Sequence, residues 1–185
     1  MQTLVDLYES KDIVSEIHKM RSEAKVLIER GLVTEGLQIF KKARNKAAHW
    51  ELQTLELSLL LEENKHAINF KDHNAPEIQA FYKEFKVLTA TLSNMGDYMQ
   101  LYDSFLDWEK RERSLRDQDA LEKLESIIQS SEVQTLRTET AFLSKLHYHS
   151  IHERYAMLKG DDHQILNCKA ALFKLYEDHP HMKEV

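Results

Sequence analysis

The run I-V-S-E-I-H-K-M-R-S-E-A-K-V-L-I-E-R-G-L-V-T-E-G-L-Q-I-F-K-K-A-R-N-K-A, residues 13–47, decides the fold. Ile13, Ile17, Met20, Ala24, Leu27 and Ile28 recur at three- and four-residue steps, which is one face of an α-helix extending from about Ser10 to Arg30. Gly31 ends it, because a glycine just past the last turn takes the left-handed conformation without a Cβ penalty. Thr34 then offers an N-cap oxygen, and Leu37, Phe40, Ala43 and Ala47 form the stripe of a second helix running back along the first. The stretch is a helix hairpin.

Working outward, the same punctuation recurs. Gly31, Gly96 and Gly160 each close a helix-patterned segment, and they stand 65 and 64 residues apart. Repetition on this scale marks a helical solenoid, whose units bury their apolar faces by stacking. Between the hairpins lie single helices. One, from about Trp50 to Asn64, is leucine-rich on more than one side (Leu52, Leu55, Leu57, Leu59, Leu60, Leu61). Lys65 to Ala75 loses periodicity and reads as an irregular connection, after which Asn74-Ala75-Pro76-Glu77 starts a helix that Gly96 stops near Met95. That helix carries Phe81, Phe85, Leu88 and Leu92, and its partner, capped by Asp97, carries Tyr98, Leu101, Phe105 and Trp108. Asp119 with Glu122 opens another single helix over about 119–130, and Ser131 with Gln134 opens the long helix that ends at Gly160. The last helix, from about Asp162 to Asp178, carries Ile165, Cys168, Leu172 and Leu175 before Pro180.

Composition agrees with an all-α chain. The 185 residues include only 2 prolines and 4 glycines, 30% are charged and 42% hydrophobic, so loops are short and helix formers dominate. A net charge of −6 spread along the chain leaves no electrostatic footprint of a nucleic-acid binder. No run of about 18 apolar residues marks a membrane span, and the N-terminus lacks a secretory pattern. With a single cysteine, Cys168, no intramolecular disulfide exists, and the expected setting is the cytoplasm. Residues 1–9 carry Leu4, Val5, Leu7 and Tyr8 without a preceding cap, and the chain stops soon after Pro180, which suggests a piece of a larger protein.

The spacing within the hairpins carries a resemblance. A bulky residue, a large-small dipeptide and a second bulky residue on one helix, followed by a small and aromatic stripe on the next, occur as Met20, Glu23-Ala24, Leu27, Gly31, Gly36, Phe40 and Ala43. They recur as Phe85, Leu88-Thr89, Leu92, Gly96, Leu101, Phe105 and Trp108. A third unit reads Tyr148, Ile151-His152, Tyr155, one extra residue, Gly160, Ile165, Lys169 and Leu172. The chain resembles a degenerate tetratricopeptide-like array. It departs from that family where Leu101 and Ile165 replace small residues, and in a glycine interval about twice the family's roughly 34-residue period. The resemblance implies a single domain over 1–185, a right-handed α-α superhelix of antiparallel hairpins with about seven to eight helices. It also implies a non-enzymatic scaffold that binds a protein or peptide in a groove lined by the first helix of each hairpin. That face carries His18, Arg21 and Lys25 in the first unit and Lys83, Lys86 and Ala90 in the second, four of them cationic, which suits an acidic segment. The same cations also fit i, i+4 pairing on a solvated face.

Two other functions are open. One is the peptide-sensing part of a transcriptional regulator, with the DNA-binding element elsewhere. The other is metal binding at His149, His152 and Glu153, whose i, i+3, i+4 spacing places three ligand types on one helix face, although a zinc site needs a further ligand and a second shell. The basic run Lys41-Lys42-Ala43-Arg44-Asn45-Lys46 reads as the solvated side of an amphipathic helix. No nucleophile elbow, phosphate-binding glycine loop or paired-cysteine zinc spacing is present, so neither an enzyme nor a cofactor is expected.

Overall fold

A computed structural model describes residues 12–70, 75–111, 122, 125, 126, 128 and 141–183. Among them are six α-helices, one 3₁₀ turn and no strand: α1 (Ile13–Glu29), α2 (Val33–His49), α3 (Gln53–Phe70), α4 (Ala75–Arg111), α5 (Phe142–Lys159) and α6 (Asp162–Asp178), with the 3₁₀ turn at Pro180–Lys183. The chain is all-helical. Asn74, Asp119, Ser131, Gln134 and residues 1–9, singled out above, lie outside the described residues. Among the described residues no helix is long and apolar enough to cross a membrane. The chain divides into two compact units, Met1–Ala90 and Thr91–Val185.

In the first unit α1 packs on α2 and α2 on α3. Asp12 caps α1, accepting hydrogen bonds from the Val14 amide at 3.0 Å and the Ser15 hydroxyl at 2.9 Å. Ile17, Ala24 and Ile28 of α1 meet Leu37, Phe40, Ala43 and Ala47 of α2 and Leu59 of α3 in one core. These are the stripes expected of the hairpin. Gly36 is buried where α1 and α2 come closest, and a Cβ there would lie 2.8 Å from the Ala24 carbonyl oxygen.

The turn between α1 and α2 is closed by the backbone. Leu32 donates to the Leu27 carbonyl at 2.9 Å and Gly31 to Ile28 at 2.9 Å, the paired bonds of a Schellman motif, with Gly31 at φ +84°. The N-cap of α2 is Leu32, with no side-chain cap bond, and not Thr34. The motif already fixes the chain's direction by Leu32, so Thr34 falls inside the first helical turn. The next turn uses the same motif without a glycine. Leu52 donates to Ala47 at 2.9 Å and Glu51 to Ala48 at 3.1 Å, and Glu51 takes the left-handed position at φ +50°.

Two further expectations are corrected. Lys65 to Phe70 is helical and belongs to α3, because this segment contains no glycine or proline and Ala67 packs on the core, while the His66 ring stacks on Phe40 at 5.6 Å. Gly96 closes no hairpin. It lies inside α4, an unbroken helix of 37 residues. The apolar stripe Phe81, Phe85, Leu88, Leu92 continues through Met95 to Tyr98, Leu101, Phe105 and Trp108 at three- and four-residue steps, so no phase break asks the chain to turn. A lone glycine costs a helix only about 1 kcal/mol against alanine.

In the second unit, Phe105 and Trp108 of α4 form a core with Ile128 and Ile151, flanked by Tyr155 and Leu158. Helices α5 and α6 make a hairpin around Gly160, which lies at φ +69°, with Asp161 donating to Ala156 at 2.9 Å. Asp161 caps α6, accepting from the Gln164 amide at 3.0 Å. Cys168 and Leu175 are buried on α6, as the stripe requires.

Candidate functional site

A cleft of about 460 Å³ opens in the first unit, walled by α2, α3 and the first turns of α4. Its apolar wall includes Leu37, Leu60, Ala67 and Phe81, and its charged wall Lys41, Arg44, Glu63, Glu77 and Glu84. Helical spacing explains the set. Leu37, Lys41 and Arg44 are successive steps along one side of α2, and Glu77, Ala80, Phe81 and Glu84 along one side of α4. Beside it α4 leaves two large apolar residues in solvent, Ile78 and Tyr82.

Arg44 is the centre of the charged wall. Its side chain is only 11% exposed, because it borders the apolar stripe of Phe40, Ala43 and Ala47. Its Nε donates to Glu63 at 2.9 Å, and its Nη1 pairs with Glu84. Burial pushes the Glu63 carboxyl above its ordinary range, Arg44 opposes the shift, and the charge of Glu84 adds to it. Glu56, seven residues before Glu63 on the same face of α3, is likewise raised by burial, opposed by Arg44 and reinforced by Glu84. One guanidinium therefore serves three carboxylates in a partly dry setting.

The cationic stripe expected on α1 is otherwise engaged. Arg21 binds Glu62 of α3 through two nitrogens, Nε at 2.9 Å and Nη2, and the Lys25 ammonium lies 3.2 Å from the same carboxylate. Hydrogen bonding from Arg21 holds Glu62 below the ordinary carboxylate range, with Lys25 assisting against burial. His18, Lys83, Lys86 and Ala90 are exposed. Lys83 and Lys86 do not line the cleft, which α4 faces with the other side of its surface.

His149, His152 and Glu153 lie along α5. Among the described residues no group of three or more His, Cys, Asp or Glu side chains is arranged to hold an ion. The Tyr148 ring lies against both imidazoles, at 5.1 Å from His149 and 4.5 Å from His152, and Glu153 is 3.8 Å from the Lys169 ammonium. Helical spacing brings the three residues to one side of α5. Burial holds His149 below its usual pKa, and His152 adds to the effect.

Spacing alone does not mark Arg44, Glu63 and Glu84 as a site, since their meeting depends on three helices packing. One signal was available: Arg44 lies four residues after Phe40 and three before Ala47, at the border of the buried stripe and not opposite it. No protein family, curated protein or solved structure matches the chain.

Proposed function

We propose that the chain is a non-enzymatic helical-repeat module of tetratricopeptide-like construction, a right-handed stack of hairpins that binds a protein or peptide segment in the cleft between α2, α3 and α4. The observation that carries this reading is the cleft itself, which combines apolar walls with a few fixed charged groups, as sites for side chains do. A second feature supports the stacked-hairpin part. Ion pairs link helices two apart in the first unit: α1 reaches α3 through Arg21 and Glu62, and α2 reaches α4 through Arg44 and Glu84. The single free and buried cysteine, Cys168, fits action in the cytoplasm.

The test is affinity capture with the full chain and two variants matched for helicity and melting. Ala80→Trp fills the cleft from an exposed position, so it leaves the core untouched. Lys83→Glu with Lys86→Glu reverses the neighbouring exposed charge. Partners retained by the wild type and by the double variant, and lost with Ala80→Trp, support the cleft. Undiminished capture by Ala80→Trp overturns it.

A further inference from the structure

We infer that the segment taken by this cleft is basic and apolar, presenting a lysine or arginine flanked by hydrophobic side chains. The inference rests on the binding reading above and names the chemistry of its partner.

The charge of the cleft argues for it. Arg44 already gives its Nε to Glu63 and its Nη1 to Glu84, so an acidic ligand gains from it only by competing with two carboxylates fixed in the walls. Lys41 and Glu77, both exposed, also line the cleft, and the charge of Lys41 acts on Glu63. The charged lining is Lys41 and Arg44 against Glu63, Glu77 and Glu84, an excess of one carboxylate, and Glu84 is 41% exposed and open to a ligand. A carboxylate has about four lone-pair sites, and Arg44 makes a single bond to each of its two partners, so acceptor capacity is left over. Glu63 is raised chiefly by burial and further by the charge of Glu84, while Arg44 and Lys41 oppose the shift.

The apolar wall argues that the cation arrives on a side chain. Leu37, Leu60 and Phe81 suit the methylene stem of a lysine or arginine and an adjoining leucine or phenylalanine, whereas a small polyamine gains little from them. The acidic partner expected from the cationic stripe loses its main support, since Arg21 and Lys25 share Glu62.

Fluorescence anisotropy with two labelled peptides tests this on the full chain: Leu-Lys-Leu-Phe-Lys-Leu and its counterpart with glutamate in place of lysine. The lysine peptide is expected to bind at least about tenfold tighter, Glu84→Gln to weaken it about tenfold, and affinity to rise with pH as Glu63 loses its proton. Glu84 is exposed enough for that variant to keep its fold, which circular dichroism checks. Equal or tighter binding of the glutamate peptide, no effect of Glu84→Gln, or displacement by spermine at a concentration matching the peptide's Kd overturns the inference. If the lysine peptide fails to bind while Ala80→Trp still abolishes capture, the charge assignment falls and the cleft stands. If both tests fail, both fall.

Discussion

Gly36 lies so close to Ile28 that a Cβ on it would come within 2.5 Å of the Ile28 Cγ1. The Ala24 carbonyl oxygen, at 2.8 Å from the same point, is backbone and cannot swing aside. Gly36→Ala is expected to destabilise the protein by about 1–3 kcal/mol, since overpacking outweighs the roughly 1 kcal/mol gain in helix propensity. Urea denaturation measures it. A neutral result means that α1 and α2 separate without cost.

Gly96 gives the opposite expectation. It is inside α4, its φ is not positive, and a Cβ there meets nothing within 4 Å. Gly96→Ala should raise stability by about 0.5–1 kcal/mol, seen as a higher melting temperature. A loss of stability would restore the turn that the glycine interval implies.

That pair of glycines shows which parts of the fold the sequence makes legible. Helices α1 and α5 end where local signals place them, because Gly31 and Gly160 act within a few residues of themselves, whereas α2 is capped at Leu32 and not at Thr34. Gly96 carries the same letter but sits in a stripe that Met95 keeps in phase, and local composition does not distinguish a tolerated glycine from a required one. The cleft is less legible still. Arg44 and Glu84 are 40 residues apart, and only packing reveals that a residue of a basic run is the countercharge of an acidic wall.

Glu51 performs the turn that a glycine performs after α1 and α5. At φ +50° its Cβ is strained, at a cost of about 1 kcal/mol. Glu51→Gly is expected to stabilise the first unit by about 0.5–1 kcal/mol, the gain being reduced by the loss of the 3.5 Å bond from Gln53. Thermal melts of the variant check it, and a lower melting temperature would mean that the glutamate side chain contributes more than the backbone strain costs.

Glu62 gives a pH signature. Its folded pKa lies below the ordinary value of 4.5, so the stability from its pairing with Arg21 and Lys25 is fully present above 4.5 and is lost as pH falls through the lowered value. Glu62→Gln should therefore cost about 1 kcal/mol at pH 7, and the difference from wild type should vanish in acid. Parallel denaturation curves from pH 7 to about pH 3 measure this. A deficit that persists unchanged to the acid end would assign it to packing and not to charge.

Glu62 and Glu63 are neighbours in sequence, about 100° apart around α3, and they hold different helices: Glu62 takes Arg21 and Lys25 of α1, Glu63 takes Arg44 of α2. Leucines at 55, 57, 59, 60 and 61 lie on several sides of α3, so oil-like contact alone leaves several rolled orientations of this helix nearly degenerate. The two adjacent carboxylates break that degeneracy, because rolling α3 by one residue would leave either Arg21 and Lys25 facing Leu61 or Arg44 facing Asn64. They act as a key that selects one orientation from many of similar greasiness.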